Sequence, residues 1–133
     1  MKFASMRDAT YFLDELIARP PKKHNRLAYV AHILEILGSP QNQIPAIHIA
    51  GTSGKGSTAH YATGLLNRAG YTTGTLLSPH ITSVAERSLI NRQPLPEREY
   101  LHYFQTFANL YIVNNLHLSY FEFLTIFSFW LFK

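Results

Sequence analysis

The chain has no cysteine among its 133 residues. That excludes a disulfide scaffold, a zinc-thiolate site and a catalytic thiol. Long apolar runs are missing too. The most apolar stretch, Tyr120–Phe132, is thirteen residues interrupted by Glu122, whereas a membrane span needs about 20. Residues 1–21 carry Asp8, Asp14 and Glu15 in place of a continuous apolar segment, so no secretory signal is read there and a cytoplasmic protein is expected. Acids are withheld from the centre: from Ile36 to Ala85 there is no Asp or Glu, and the full charges in that window are Lys55 and Arg68. An acid-free centre suits a polyanionic ligand. The net charge of +4 is not gathered into runs. Lys22, Lys23 and Arg26 form the densest basic group and read as a solvated loop, so no nucleic-acid partner is expected.

What is present is core material. The chain is 47% apolar and 14% Phe, Trp and Tyr, which excludes disorder and is ample for one domain. Residues 6–18 place Tyr11, Phe12, Leu16 and Ile17 near one face and predict a helix closed by Pro20-Pro21. Leu27–Leu37 predicts a second helix, stopped by Gly38 and Ser39-Pro40. Ile44–Ala50 (IPAIHIA) reads as a short buried strand, Ser57–Ala69 as a helix with Leu65 and Leu66 on a face, and Thr72–Leu77 as a second strand. Strand, turn, helix and strand make the size of a βαβ unit, which predicts an α/β fold with a parallel sheet flanked by helices. Ser88–Asn91 reads as a further short strand; Pro96–Asn114 and Tyr120–Lys133 read as helices.

The turn between the first strand and its helix is Gly51-Thr52-Ser53-Gly54-Lys55-Gly56-Ser57-Thr58, holding three of the seven glycines. Glycine lets several backbone N–H groups approach one anion, and the helix that follows aims its positive end at the same place. Lys55 adds a cation able to reach β- and γ-phosphate oxygens, and Ser57 and Thr58 offer hydroxyls to phosphate or Mg²⁺. The pattern departs from the common phosphate loop G-x-x-x-x-G-K-[ST]: Ile49 replaces the first glycine, and Gly56 follows the lysine. The alternative is a flexible Gly/Ser linker, a poor fit between a buried strand and an amphipathic helix.

GTSGKGS resembles the phosphate loop of the Mur ligase family, ATP-dependent amide-forming synthetases. LLSPHI (Leu76–Ile81), ERSLINRQPLPE (Glu86–Glu97), YFEFLT (Tyr120–Thr125) and the N-terminal helix pair fit, in order, its folylpolyglutamate synthase/dihydrofolate synthase branch. The resemblance implies a P-loop-containing Mur-ligase-type central domain with ATP and Mg²⁺. Residues 1–43 would be a helix pair leading into the domain and 44–133 its first part. The implied reaction adds L-glutamate to dihydropteroate or folate through an acyl phosphate. By the same resemblance Gly51–Thr58 contact the ATP phosphates, and Lys55, His80 and Arg87 are catalytic. Ser78 and Ser57 ligate Mg²⁺, and Tyr120, Phe121, Glu122 and Phe123 lie on the pterin side. The Lys22–Asn25 loop would be the other pterin-side loop, although its KKHN departs from the family pattern.

Each residue also has a plainer reading. Ser78 is a turn residue before Pro79, His80 a loop histidine, Arg87 an ion-pair partner of Glu86. Glu122, an acid among aromatics, needs a partner or a function. The family's Gly-rich stretch with its Mg²⁺ glutamate would follow residue 133. So would its second, glutamate-binding domain. The expectation is therefore a fragment that does not turn over, from an enzyme monomeric at full length. Rival readings are another Mur-type amide ligase and a non-catalytic nucleotide-binding module.

Overall fold

Apolar rings recur at helical spacing in three segments, and in the folded chain they meet. The computed structural model describes residues 2–18 and 25–133. Its helices are α1 (Met6–Ala18), α2 (Arg26–Ile36), α3 (Lys55–Arg68), α4 (Glu97–Val113) and α5 (Tyr120–Phe132). Helix α1 buries Ala9, Phe12, Leu13 and Leu16, α4 buries Tyr100, Phe104, Phe107 and Ala108, and α5 buries Phe123, Leu124, Ile126 and Phe127. The Phe104 ring lies 5.1 Å from Phe3, 6.0 Å from Phe12 and 5.6 Å from Phe123. Phe123 sits 5.0 Å from Phe107, edge to face. Such pairs add about 0.5–1.5 kcal/mol each beyond the area they bury. Val84, Ala85, Ile33 and Leu37 close the same core.

The predicted helices 6–18, 96–114 and 120–133 match α1, α4 and α5 to within a residue or two at each end. The buried face of α1 differs from the one expected. Phe12 and Leu16 face inward, but Tyr11 and Ile17 are 69% and 60% exposed. The stripe runs through residues 9, 12, 13 and 16, and at about 100° per residue positions 11 and 17 turn off its edge. Leu65 of α3 is likewise exposed, at 71%; Thr63 is the residue that helix buries. The expected stop at Pro20-Pro21 lies outside the described residues.

The three strands β1 (Gly74–Leu76), β2 (Ser88–Ile90) and β3 (Gln93–Pro94) form one sheet in that order. The α/β combination is present, but the pairing corrects the expected parallel sheet. β1 and β2 are antiparallel, with Gly74 opposite Ile90 and Leu76 opposite Ser88, and β2 and β3 are antiparallel as well. The β1–β2 connection, residues 77–87, holds one short 3₁₀ passage, Val84–Arg87, and no α-helix, whereas a parallel return usually carries a crossover helix. The expected strand at Ile44–Ala50 is not formed. Ile47 there is 67% exposed, and no other strand among the described residues pairs with the segment. Apolar, β-branched content makes a strand only where a second edge meets its backbone groups.

The sheet is fastened to the helices on two sides. Ser88 and Ser128 share a buried hydroxyl hydrogen bond of 2.7 Å, tying β2 to α5. Gly74 lies so close under Phe132 that a Cβ built there would stand 2.4 Å from the ring. On the other side Thr63 of α3 and Thr75 of β1 share a buried hydrogen bond of 2.9 Å. Among the described residues no helix is long and apolar enough to cross a membrane.

Candidate functional site

Helix α3 starts at Lys55, and its N-cap is Gly54, in the left-handed region at φ 73°. A side chain there would be strained, so glycine permits the turn. Gly54 offers no side-chain cap, and the first helical backbone bond is donated by Thr58 to the Gly54 carbonyl. The amides of Lys55, Gly56 and Ser57 therefore have no acceptor among the described residues. They open the positive end of a 14-residue helix. Every residue from 51 to 58 is exposed. Lys55 folds back to donate its Nζ to the Gly51 carbonyl at 2.7 Å, a bond an anion could replace. The Thr58 hydroxyl donates to the Gly54 carbonyl at 2.9 Å, so it serves the helix, whereas the Ser57 hydroxyl has no partner among the described residues.

A second group forms where β1 ends. Leu77, the residue before Ser78, donates its backbone N–H to the Arg87 carbonyl. The Arg87 Nε–H donates to His80 Nδ1 at 2.9 Å, and the guanidinium carbon lies 5.3 Å from the centroid of the Tyr120 ring. Glu86 does not pair with Arg87. It accepts from the backbone N–H groups of Ile81, Thr82 and Ser83 and completes a capping box with Ser83. The amides of Ile81 and then Ser83 hold its carboxyl below the ordinary value. Ser78 is exposed, and its peptide to Pro79 is cis.

These two groups point to the same end of the molecule. Asn67 of α3 donates to Thr73, and Thr63 bonds Thr75, so moving back along α3 is moving forward along β1. From that last contact Lys55 lies about 12 Å up the helix. Ser78 lies about 10 Å further along the strand direction.

The third group, Tyr120–Phe123, divides. Phe121 is 57% exposed and Tyr120 half-buried. Phe123 is fully buried among Phe12, Phe104, Phe107 and Tyr111, so its ring is core and has no face to offer a ligand, contrary to its expected place on the pterin side. Glu122 has its partner in Arg26, which donates from Nε to one carboxylate oxygen at 3.1 Å and from Nη2 to the other. Ser119 donates both its N–H and its hydroxyl to Glu122, completing a second capping box. Burial pushes this carboxyl up, but the bonds from Arg26 and Ser119 outweigh it and hold it below the ordinary value. Both of its oxygens are already engaged. Arg26, expected in a solvated loop, instead opens α2 and is held by this carboxylate. The motif Ser-x-x-Glu before an apolar run was a legible sign of the cap; the Arg26 pairing, 96 residues away, had no local sign. Of the Lys22–Asn25 loop, residues 22–24 lie outside the described residues.

The described residues hold no group of three or more His, Asp or Glu side chains suited to a metal. A cleft of about 460 Å³ lies elsewhere, between residues 2–4 and the Arg98–Asn109 face of α4, and takes in none of these groups.

No family model matches the chain. It is 40% identical over 74 residues to a dihydrofolate synthase/folylpolyglutamate synthase of Bacillus subtilis, a match covering 56% of this chain and 17% of that protein. It is 35% identical over 131 residues to the enzyme so named in Buchnera aphidicola, covering 97% of this chain and 29% of that protein. Its fold matches a Mycobacterium tuberculosis folylpolyglutamate synthase complexed with ADP at TM-score 0.77 and 30% identity, over 96% of this chain and 29% of that one. The chain thus spans less than a third of the length of these relatives.

Proposed function

The chain belongs to the Mur ligase family, in its folylpolyglutamate synthase/dihydrofolate synthase branch, and from that premise we propose that it forms the ATP-phosphate side of a ligase that adds L-glutamate to dihydropteroate, folate or both. The observation that carries the reading is the exposed turn at Gly51–Thr58, whose uncapped amides open onto the N-terminus of α3. It is supported by an ADP-bound relative of the same fold.

In the proposed reaction a substrate carboxylate attacks the γ-phosphate of ATP, giving an acyl phosphate and ADP. The amine of glutamate then displaces phosphate and forms the amide. This chemistry asks mainly for positioning and charge neutralisation. The amides of Lys55, Gly56 and Ser57 bind phosphate oxygens, and Lys55 exchanges its bond to the Gly51 carbonyl for one to phosphate. Arg87 meets the anionic end of the substrate. Tyr120 and Phe121 supply ring surface for a flat heterocycle, while Glu122, held by Arg26, fixes the start of α5 beneath them. Mg²⁺ accompanies ATP in such chemistry, and the ligands this chain offers it are the hydroxyls of Ser57 and Ser78. A hard cation wants carboxylate as well, and no acid lies between Ile36 and Ala85. The donor set is therefore partial.

Calorimetric titration of the 133-residue chain with ADP tests the reading. Weak binding is expected, reduced at least about tenfold by Lys55→Ala, equivalent to about 1.4 kcal/mol. Equal affinity in the variant overturns it. No glutamate ligation is expected from this chain alone, and measured turnover with ATP, L-glutamate and dihydropteroate overturns that part.

A further inference from the structure

The sheet ends in two unlike edges. On one side β3 contains Pro94, which has no N–H to offer, and follows Arg92 in the turn. Prolines and charges of this kind are how natural edges refuse a further strand. β1 forms the other edge, and from Tyr71 to Leu77 the chain carries neither proline nor charge. The Asn91 N–H donates to the Thr73 carbonyl and the Leu77 N–H to the Arg87 carbonyl, so residues 73, 75 and 77 turn their backbone groups to β2. Gly74 and Leu76 turn theirs outward, where they meet no partner among the described residues. The Leu76 side chain is 36% exposed.

The complement to that edge lies in the same chain. Ile44–Ala50 has strand composition, and its backbone groups find no partner among the described residues. Ile47 is largely exposed, and no Asp, Glu, Lys or Arg falls in the segment. Within one copy the segment and the edge are not paired.

We propose that this surface takes a second copy of the chain: Ile44–Ala50 of one copy adds as a strand to the free edge of β1 in the other. The choice of a second copy rests on what each copy presents. Each holds both halves of the contact, an edge with unpaired backbone groups and a segment of strand composition with no edge to join. Neither half carries a formal charge, so the net charge of +4 sets no like charges across the seam. Main-chain bonds give such strand addition its affinity, and alternate side chains give it specificity. Ile47 and Leu76 are the exposed apolar side chains that shed water in it. Segment and edge are different surfaces, so the contact closes into a pair only when each copy gives its segment to the other; otherwise it runs on into longer chains. None of these residues belongs to the groups assigned to ATP or metal, so the proposal stands apart from the nucleotide reading.

Sedimentation of the 133-residue chain over a range of concentrations tests it. The contact is small, so a dissociation constant on the order of 100 µM is expected. Ile47→Lys and Leu76→Lys should each weaken association at least about tenfold, since each sets a charge in the seam. Both variants are first checked by denaturant unfolding to be folded. Mixing them should restore much of what each alone has lost, because the Ile47→Lys copy keeps its edge and the Leu76→Lys copy keeps its segment. Hydrogen exchange on the unsubstituted chain needs no variant: the amides of Gly74 and Leu76 should exchange fast when dilute and slowly when concentrated.

A monomer at every concentration overturns the proposal and leaves the edge to a strand from a different protein. Association that Ile47→Lys abolishes and Leu76→Lys spares also overturns it, because the segments would then be pairing with each other. So does association indifferent to both substitutions, or a mixture no better than its parts. Protection of the two amides that does not depend on concentration overturns it as well, being the sign of pairing within one copy.

Discussion

In the core of α1, α4 and α5 the Phe123 ring is fully buried and packed edge-on against Phe12, Phe107 and Tyr111. In the turn at 51–58 every residue is exposed, and the amides of Lys55, Gly56 and Ser57 meet no acceptor among the described residues. One region has satisfied its surfaces internally; the other holds its donors outward. Stability and the proposed chemistry thus fall to different parts of the chain. The end of β1 lies between them, because Arg87 rests on a ring of α5 and bonds to a histidine of the β1–β2 connection.

Substitutions can break that division, and their effects on folding should fall in order across it. Phe123→Ala empties the centre of the ring cluster and is expected to cost about 3–5 kcal/mol by denaturant unfolding. Phe121→Ala, two residues away and 57% exposed, should cost far less. If the two cost the same, Phe123 is not core. Gly74→Ala follows, since its Cβ would stand 2.4 Å from the Phe132 ring. Overpacking of this kind costs about 1–3 kcal/mol, and Gly74→Ala combined with Phe132→Ala should recover part of the loss.

Arg26→Ala comes next, at about 1 kcal/mol near neutral pH for a partly exposed pair. The folded carboxyl of Glu122 is held below its ordinary value. Its contribution is therefore full above the unfolded value, about 4.3, and is lost as the pH falls through the folded one. The gap between wild type and Arg26→Ala should close on acidification through that window; a gap constant with pH refutes the pairing. Smallest of all is Lys55→Ala, which should leave the unfolding midpoint unchanged while ADP binding falls. A shift in the midpoint would place Lys55 in the fold as well as in the site.

Much of this was legible along the chain. The spacing of Phe12 and Leu16, of Tyr100, Phe104 and Phe107, and the Gly-rich turn ahead of a helix each announce themselves within about ten residues. The candidate site was legible to the same extent. Gly51–Thr58 could be read directly, whereas the Arg87–His80 bond spans a hairpin and the Arg26–Glu122 bond spans 96 residues. Where the fold departs from local pattern, the cause is shared. Phe121 and Phe123 are the same residue type two positions apart, on one helix, and composition says nothing of which way each turns. Ile44–Ala50 has strand composition without a strand, because no partner edge meets it among the described residues.

Local order along the chain was enough to decide where most helices begin and end and where a glycine turn opens onto a helix N-terminus. Helical periodicity, capping boxes and glycine turns act between residues a few positions apart. Pairing was decided only in three dimensions: β1 against β2 antiparallel, Arg26 on Glu122, His80 behind Arg87, Phe123 inward and Phe121 outward. Those outcomes depend on which distant surfaces exclude water from one another. Such surfaces come together by burial, which has no period and leaves no mark at a fixed spacing in the sequence.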